Sequence, residues 1–461
     1  MRYNEFYTNY EPFSHQRTAI DHVWWHLNKH NCCYLRASMG AGKTKIVIDI
    51  VNNRDDIYNV LVLCPHKAIQ VWEHEIHKHS INDKYPGTLP VRVLPLEQRT
   101  LDAKLKKLNA FIEEKCDTCI NYIIINYESA NKLGLHHIDW DLIVTDESHY
   151  LKTYDSIRTK YAAKLARKGK YRIAMTGTPI GGKYEHIFGQ FQFLDERAYG
   201  SNYYAFKYYY CVMGGYNNKD IVGYVNIPHF NNIYRSRTVD IEVDHNIPSR
   251  HIDIPLTLED VESKKIYKKY VDDLKKAIAE GDEMRMQACI TRMRQVTSGY
   301  TVHAGQMVPL NTLKIDALEE LLGGINENVV VFYWFREDMR RIKKLAQHMN
   351  YTLYQINGDH NDYRKVKTHS GLPMLIACQI QSASESIDLT DARYCIYYSS
   401  THRFLDYTQS LSRLDRPGQD QTHGIIYYHL IVRKTVDESL RKSNDKKKDI
   451  MESLIGGEIG V

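Results

Sequence analysis

No apolar run in this 461-residue sequence approaches the ~20 residues that carry a helix across a bilayer, which excludes a helical membrane protein. The opening stretch MRYNEFYTNYEPFSHQ is polar and aromatic, without the apolar centre of a secretory signal. Charge of one sign is scarce too. With 61 Lys and Arg against 56 Asp and Glu, the formal net charge is +5, so any surface for a polyanion has to be local. Cysteines are nine, odd in number and scattered, which argues against a disulfide framework and for a reducing, cytoplasmic setting. Cys116 and Cys119 have metal-ligand spacing, but no second pair follows, and a zinc site needs four ligands. His74, His77 and His79 cluster without the pattern of an H-E-x-x-H helix, so no metal is expected there either. Repeats of solenoid period and low-complexity linkers are also missing.

What is present fits a globular protein with ample side chain for burial: 43% hydrophobic and 25% charged residues. The length predicts two or three domains of ~100–200 residues each. Short β-rich runs alternate with amphipathic stretches: CCYLRA (32–37), NVLVLC (59–64), YIIIN (122–126), DLIVTD (141–146) and YRIAMT (171–176). A second series follows residue 325: VVVFYW (329–334), YTLYQIN (351–357), PMLIAC (373–378) and YCIYYS (394–399). Strand–helix alternation predicts parallel sheets covered on both faces, and two series predict two α/β domains. Between them the pattern becomes helical, with a tyrosine-rich stretch at 203–210 expected to pack internally and a long charged helix within 258–282. The expected division is 1–195 for the first domain, 196–310 for a helical insertion and junction, and 311–461 for the second domain. Trp24 and Trp25 are expected in the helix after Gln16, serving the core, and RKSNDKKKD (441–449) as a solvated helix end.

The clearest chemistry lies at Ala37-Ser38-Met39-Gly40-Ala41-Gly42-Lys43-Thr44, after one predicted strand and opening one predicted helix. Glycines let the backbone curl so that its N–H groups face phosphate oxygens, and the helix N-terminus adds favourable partial charge. Lys43 is expected on the β- and γ-phosphates and Thr44 on Mg2+, with Gly40, Ala41 and Gly42 forming the cradle of an ATP site. Asp146-Glu147-Ser148-His149 ends the strand DLIVT, at the edge where parallel sheets bind ligands. Asp146 is expected to hold Mg2+ and Glu147 to orient or deprotonate the attacking water.

Far along the chain stands Gln409-Ser-Leu-Ser-Arg413-Leu-Asp-Arg416-Pro-Gly-Gln419. Three residues apart, Arg413 and Arg416 would share a face of a helix that Pro417-Gly418 ends. An arginine delivered to the γ-phosphate from a second domain stabilises developing charge, an effect worth ~10³–10⁵ in rate.

The motif order, over nearly the whole chain, resembles that of superfamily-two helicase ATPases and, within them, the Swi/Snf-type translocases. Phe13-Ser-His-Gln16 resembles the adenine-reading glutamine motif. The segment from Cys64-Pro65-His66 through Val71-Trp72 resembles the one that contacts the nucleic-acid backbone, and Lys152 matches a recurring family lysine. Met175-Thr176-Gly177-Thr178-Pro179-Ile180 is similar to the third motif, which links nucleotide to track; His149, Thr176, Thr178, Asp388 and Gln409 are the implied coupling residues. Ile247-Pro248-Ser249-Arg250 and Leu256-Thr257 resemble the junction between the halves. The spacing of Gln409, Arg413, Arg416 and Gln419 is of Swi/Snf type. DESH replaces the commoner DEAH, and in Ala383–Thr390 serine and glutamate stand where the family usually has glycines.

The resemblance implies two tandem RecA-like domains with a helical insertion, and a nucleic-acid-stimulated ATPase using ATP and Mg2+. It implies movement along double-stranded DNA, remodelling DNA structures or protein–DNA complexes, with no membrane partner. The alternatives are a strand-separating DNA or RNA helicase, or the motor subunit of a defence or restriction complex. With no chromatin-reading domain in the sequence, a bacterial or phage setting is expected. Lys43, Thr44, Asp146, Glu147, Arg413 and Arg416 together argue against a pseudo-ATPase.

Overall fold

The protein's structure, a computed structural model, describes residues 6–38, 40–81, 88–114, 116, 118–177, 183–214, 220–243, 247–303, 305–371, 373–383, 387–401, 403–416, 419 and 422–445. The chain forms two compact units, residues 1–244 and 245–461.

In the first unit the strands are β1 (Cys32–Ala37), β2 (Asn59–Cys64), β3 (Val91–Pro95), β4 (Ile120–Asn126), β5 (Trp140–Thr145), β6 (Gly169–Thr176), β7 (Cys211–Gly214), β8 (Asp220–Tyr224) and β9 (Thr238–Ile241). Seven of them make one sheet in the order β3-β4-β2-β5-β6-β1-β9, every neighbouring pair parallel. β7 and β8 form a separate antiparallel hairpin. Alternate residues of a strand point to opposite faces, and both faces here are apolar. Tyr34, Leu61, Ile123 and Ile143 pack into one core; Cys33, Val62, Ile124 and Val144 pack into the other. Such strands must be apolar on both sides, which is why they read as unbroken Val/Ile/Leu runs. Every strand of an all-parallel sheet ends at the same edge, so the loops after β1, β2, β4, β5 and β6 share it.

The second unit contains β10 (Ser249–Leu256), β11 (Tyr300–His303), β12 (Gln306–Pro309), β13 (Val329–Tyr333), β14 (Thr352–Ile356), β15 (Met374–Gln379), β16 (Tyr394–Tyr397) and β17 (Ile425–Val432). Its six-stranded sheet is again all parallel, in the order β10-β17-β16-β13-β15-β14. β11 and β12 pair as a hairpin. The charged stretch forms the helix Val261–Glu280, which Asp260 caps by accepting from Ser263 N. Gly281, at φ 68°, turns it into the helix Glu283–Thr297. Both helices pack with the helix Val436–Asp445 in one cluster through Tyr267, Leu274, Ile290, Met293, Val436 and Leu440. A buried ion pair, Lys314 Nζ to Asp437 Oδ2 at 2.7 Å, fastens this end of the chain, and Thr297 Oγ1 donates to Asp437 Oδ1 at 3.0 Å.

Several expectations change. Trp24 and Trp25 do lie in the helix Ser14–His30, but Trp25 is 51% exposed, with the Lys29 ammonium over its ring, so it serves no core. In the tyrosine-rich helix Tyr203–Tyr210 only one face packs: Phe206 and Tyr210 are buried, while Tyr204, Tyr208 and Tyr209 are exposed. Cys116 and Cys119 are joined as a disulfide, and the other seven cysteines are free and buried. In the basic tail, Ser443 and Asn444 are buried and Arg441 pairs with Asp253, so the described part is a docked helix rather than a solvated end. Residues 196–310 are shared between the units: β7, β8 and β9 belong to the first, and β10 through β12 with two long helices to the second.

Candidate functional site

In the first unit the loop after β1 runs into the helix Lys43–Asn53. Gly40 and Gly42 adopt φ of 81° and 79°, the left-handed region open to glycine. At Gly42 the conformation demands glycine, and a Cβ there would stand 2.1 Å from Gln16 Nε2 and push that amide aside. Gln16 is buried. Its amide donates to the Ala41 carbonyl at 3.1 Å while its Oε1 accepts from Phe13 N at 3.0 Å, and His15 Nε2 lies 3.2 Å from the same Ala41 oxygen. The residue expected to read the base is thus bonded to the loop expected to hold the phosphates. Lys43 Nζ donates to the carbonyls of Ala37 (3.0 Å) and Ser38 (3.4 Å). Ser38 ties the loop to the end of β9, donating its N–H to Ile241 and accepting from Val243 N with its hydroxyl. Thr44, half-buried, stands in the first turn of the helix.

Two strands away in the sheet, β5 delivers Asp146 and Glu147. Both are buried. Asp146 Oδ2 accepts from Trp72 Nε1 and Oδ1 from Glu147 N, each at 2.9 Å. Burial, and then the neighbouring Glu147, push its carboxyl up to about 6, against the pull of Trp72 and Lys43. Glu147 itself adopts φ 49°. Its Oε2 accepts from Thr176 Oγ1 at 3.3 Å and lies 3.2 Å from His149 Nδ1, which in turn lies 3.2 Å from Thr176 Oγ1. The end of β5 and the end of β6 therefore meet through three side chains. Thr178, the next expected coupling residue, lies outside the described residues.

Beneath this triad sits a polar network that the sequence reading missed. Gln190 Oε1 accepts from Tyr34 OH (2.5 Å) and Ser148 Oγ (2.8 Å), all three fully buried. Gln190 lies in EHIFGQFQFL, the helix Glu185–Leu194, and a lone inward amide among aromatics is the signal that partners await it. The same helix approaches the backbone after Ser148 so closely that a Cβ on Gly189 would stand 2.2 Å from the Leu151 carbonyl. Of the expected nucleic-acid contacts, Pro65 is buried just before the helix Ala68–His79, while His66 and Lys152 are exposed at the ends of β2 and of the turn after β5.

In the second unit the structure brings Asp388, Arg413 and Arg416 together. Leu389 N donates to the Arg413 carbonyl at 2.9 Å, and Arg413 Nη1 reaches the Ile387 carbonyl at 3.4 Å. Asp388 is held below the usual carboxylate range. Burial alone would raise it, but Lys367, Arg416 and the Thr390 N–H outweigh that effect. Gln409 is buried in the helix Phe404–Leu411. The two arginines do not share a helical face: the helix stops at Leu411 and both follow it in turns, Arg413 only 2% exposed and Arg416 half-buried. Arg413 N and Leu414 N bond back three residues, to Ser410 and Leu411, instead of four. Arg416 Nε takes the Ser412 carbonyl at 2.9 Å. Pro417 and Gly418, expected to end the helix, lie outside the described residues.

A glycine loop into a helix, an acidic pair on a strand end of the same sheet edge and a second parallel-sheet unit with its own arginines define a tandem RecA-like ATPase of the helicase class. The SNF2-related domain matches residues 15–301, more than half of the chain, and the helicase conserved C-terminal domain matches residues 313–418. The chain belongs to the SNF2-related family: it is a nucleic-acid-dependent, helicase-like ATPase. A relative in Bos taurus, the DNA annealing helicase and endonuclease ZRANB3, is 23% identical over 39% of this chain and 16% of its own length. This chain thus spans only a small part of that protein. The ATP-dependent helicase YqhH of Bacillus subtilis is 21% identical over 97% of this chain and 80% of its own length. Among solved structures, the Sulfolobus solfataricus SWI2/SNF2 ATPase core in complex with dsDNA is 18% identical, with a TM-score of 0.45 over 99% of this chain and 94% of that one. Among the described residues no helix is long and apolar enough to cross a membrane.

Proposed function

We propose that the protein is an ATP-dependent translocase that moves along double-stranded DNA and remodels DNA structures or protein–DNA complexes. One observation carries the reading: the contact chain from Glu147 through His149 to Thr176, which links the candidate hydrolytic carboxylate to the segment that follows β6. A simple ATP-binding enzyme has no need of such a link; a motor needs it to convert hydrolysis into movement. The Swi/Snf-type spacing of Gln409, Arg413, Arg416 and Gln419 supports duplex DNA as the track, and so does the name of the ZRANB3 relative, a DNA annealing helicase.

In this reading Gln16 reads the base, Gly40 to Gly42 and Lys43 hold the phosphates, and Glu147 activates the water. Arg413 and Arg416 supply charge to the γ-phosphate. Thr44 and Asp146 offer the hydroxyl and carboxylate oxygens that suit Mg2+, and a cation would relieve the burial that raises Asp146. The ion, when bound, neutralises charge on the transferring phosphoryl group. His66 and Lys152 are exposed for phosphate contact, which positions a protein without reading sequence.

The test compares ATPase stimulation by duplex DNA, single-stranded DNA and RNA, with triplex displacement beside strand unwinding. The expected outcome is strongest stimulation by duplex, with displacement and no unwinding. Stimulation confined to single strands, with unwinding, would replace this reading by a strand-separating helicase.

A further inference from the structure

Asp146 is gripped from the ends of two neighbouring strands. In the sheet order, β2 lies between β4 and β5, so the segments leaving all three share one edge. From the β2 side comes Trp72, one turn into the helix Ala68–His79, fully buried, its indole N–H on Asp146 Oδ2 at 2.9 Å. That helix starts at Pro65-His66, where Ala68 N and Ile69 N return to the carbonyls of Pro65 and His66. From the β4 side comes Tyr127, also buried, whose hydroxyl donates to the Asp146 backbone carbonyl at 2.7 Å.

Neither contact stands alone. The Tyr127 ring stacks on Tyr150 at 5.6 Å and 6°, and the Arg158 guanidinium lies over Tyr150 and 3.6 Å from Glu128. The turn that carries Tyr127 is fixed by Lys104, which is buried and donates to Asn126 Oδ1 (3.0 Å) and Ser129 Oγ (2.9 Å). With Glu147 N on its other oxygen, the Asp146 carboxylate is held at both oxygens, which fixes its plane. A small shift of the helix Ala68–His79 would move a donor against that carboxylate, and one of the Asn126–Ser129 turn would move a donor against the backbone carbonyl that carries it.

We propose that Trp72 and Tyr127 are positioning residues that set the Asp146 carboxylate for Mg2+ and make that setting respond to nucleic acid at His66 and Lys152, after the ends of β2 and β5. The inference rests on the reading of Asp146 as the Mg2+ carboxylate and of these strand ends as the contact side. Trp72→Phe removes the N–H and keeps an aromatic ring; Tyr127→Phe removes one hydroxyl.

On the full chain, the binding of a fluorescent, non-hydrolysable ATP analogue is titrated with Mg2+ in the absence of turnover. In Trp72→Phe the Mg2+ needed for half-saturation rises about tenfold or more, while affinity for the metal-free analogue is kept. In Tyr127→Phe the ratio of duplex-stimulated to basal ATPase falls about fivefold or more, while DNA affinity is kept. An unchanged Mg2+ requirement in the first variant overturns its half of the proposal, and an unchanged stimulation ratio in the second overturns the other. If Trp72→Phe fails to fold, judged by its melting curve, the single-hydroxyl variant decides. A wild-type chain stimulated by no nucleic acid would refute the translocase reading instead, and the Mg2+ titration would still judge Trp72.

Discussion

Glu147 stands in the left-handed region at φ 49°, a conformation that is strained for a side chain longer than glycine or asparagine. The surroundings that hold it there are the same groups that aim its carboxylate: Thr176 and His149 on one oxygen, with Ser148 anchored beneath by Gln190. Glu147→Gln keeps the length and shape of the side chain and removes its basicity. It is expected to bind ATP as wild type does and to lose turnover about 10²-fold or more, checked by nucleotide binding beside an ATPase assay; near-normal turnover would remove Glu147 from the role of base. At this scale the sequence reveals the acidic pair, because a carboxylate at the end of an apolar run is conspicuous. It conceals what holds the pair. Trp72 and Asp146 lie far apart in the chain, as do Tyr34 and Gln190, and only the strand order brings them together.

Elements were legible where periodicity was unopposed. The strands from 32 to 37 and from 59 to 64 appear with the bounds read from their apolar runs. The arginine segment was not, because helical spacing there meets competing hydroxyls. Ser410 Oγ donates to the Tyr407 carbonyl and Ser412 Oγ to that of Gln409, and the chain tightens into three-residue turns. β9 and β10 were missed for a different reason: each is an edge strand, half exposed and mixed in polarity, so no apolar run marks it. The helix Glu185–Leu194 illustrates how one element can position a site without touching it. Gly189 lets it lie against the Leu151 carbonyl, beneath the turn that carries His149 and Lys152. Gly189→Ala is expected to cost about 1–3 kcal/mol through that overlap, measured by denaturant unfolding; a gain in stability, as helix propensity alone would give, would show that the contact relaxes freely.

Across the whole molecule, two all-parallel sheets carry separate cores, and in the second unit a buried ion pair joins two helices distant in sequence. Lys314 stands in the helix Leu313–Gly323 and Asp437 in the helix Val436–Asp445; their ion pair is buried, with Thr297 as a further partner of the aspartate. Removing one member of a buried pair leaves an uncompensated charge. Lys314→Met is expected to destabilise this unit by about 3–5 kcal/mol, and the double change with Asp437→Leu to recover much of it, both read from chemical denaturation. A loss under about 1 kcal/mol in the single variant would mean that Asp437 finds a substitute partner.

Burial also silences the free thiols. Cys32, Cys33, Cys64 and Cys211 lie inside the first unit, and Cys289, Cys378 and Cys395 inside the second. Burial raises the thiols of Cys32 and Cys211 to about 11 and lifts those of Cys33, Cys289 and Cys395 as well. Such groups meet an alkylating reagent only when their unit opens. The chain therefore carries a clock in each half: the order in which these cysteines become labelled records which unit loosens first, without any engineered probe.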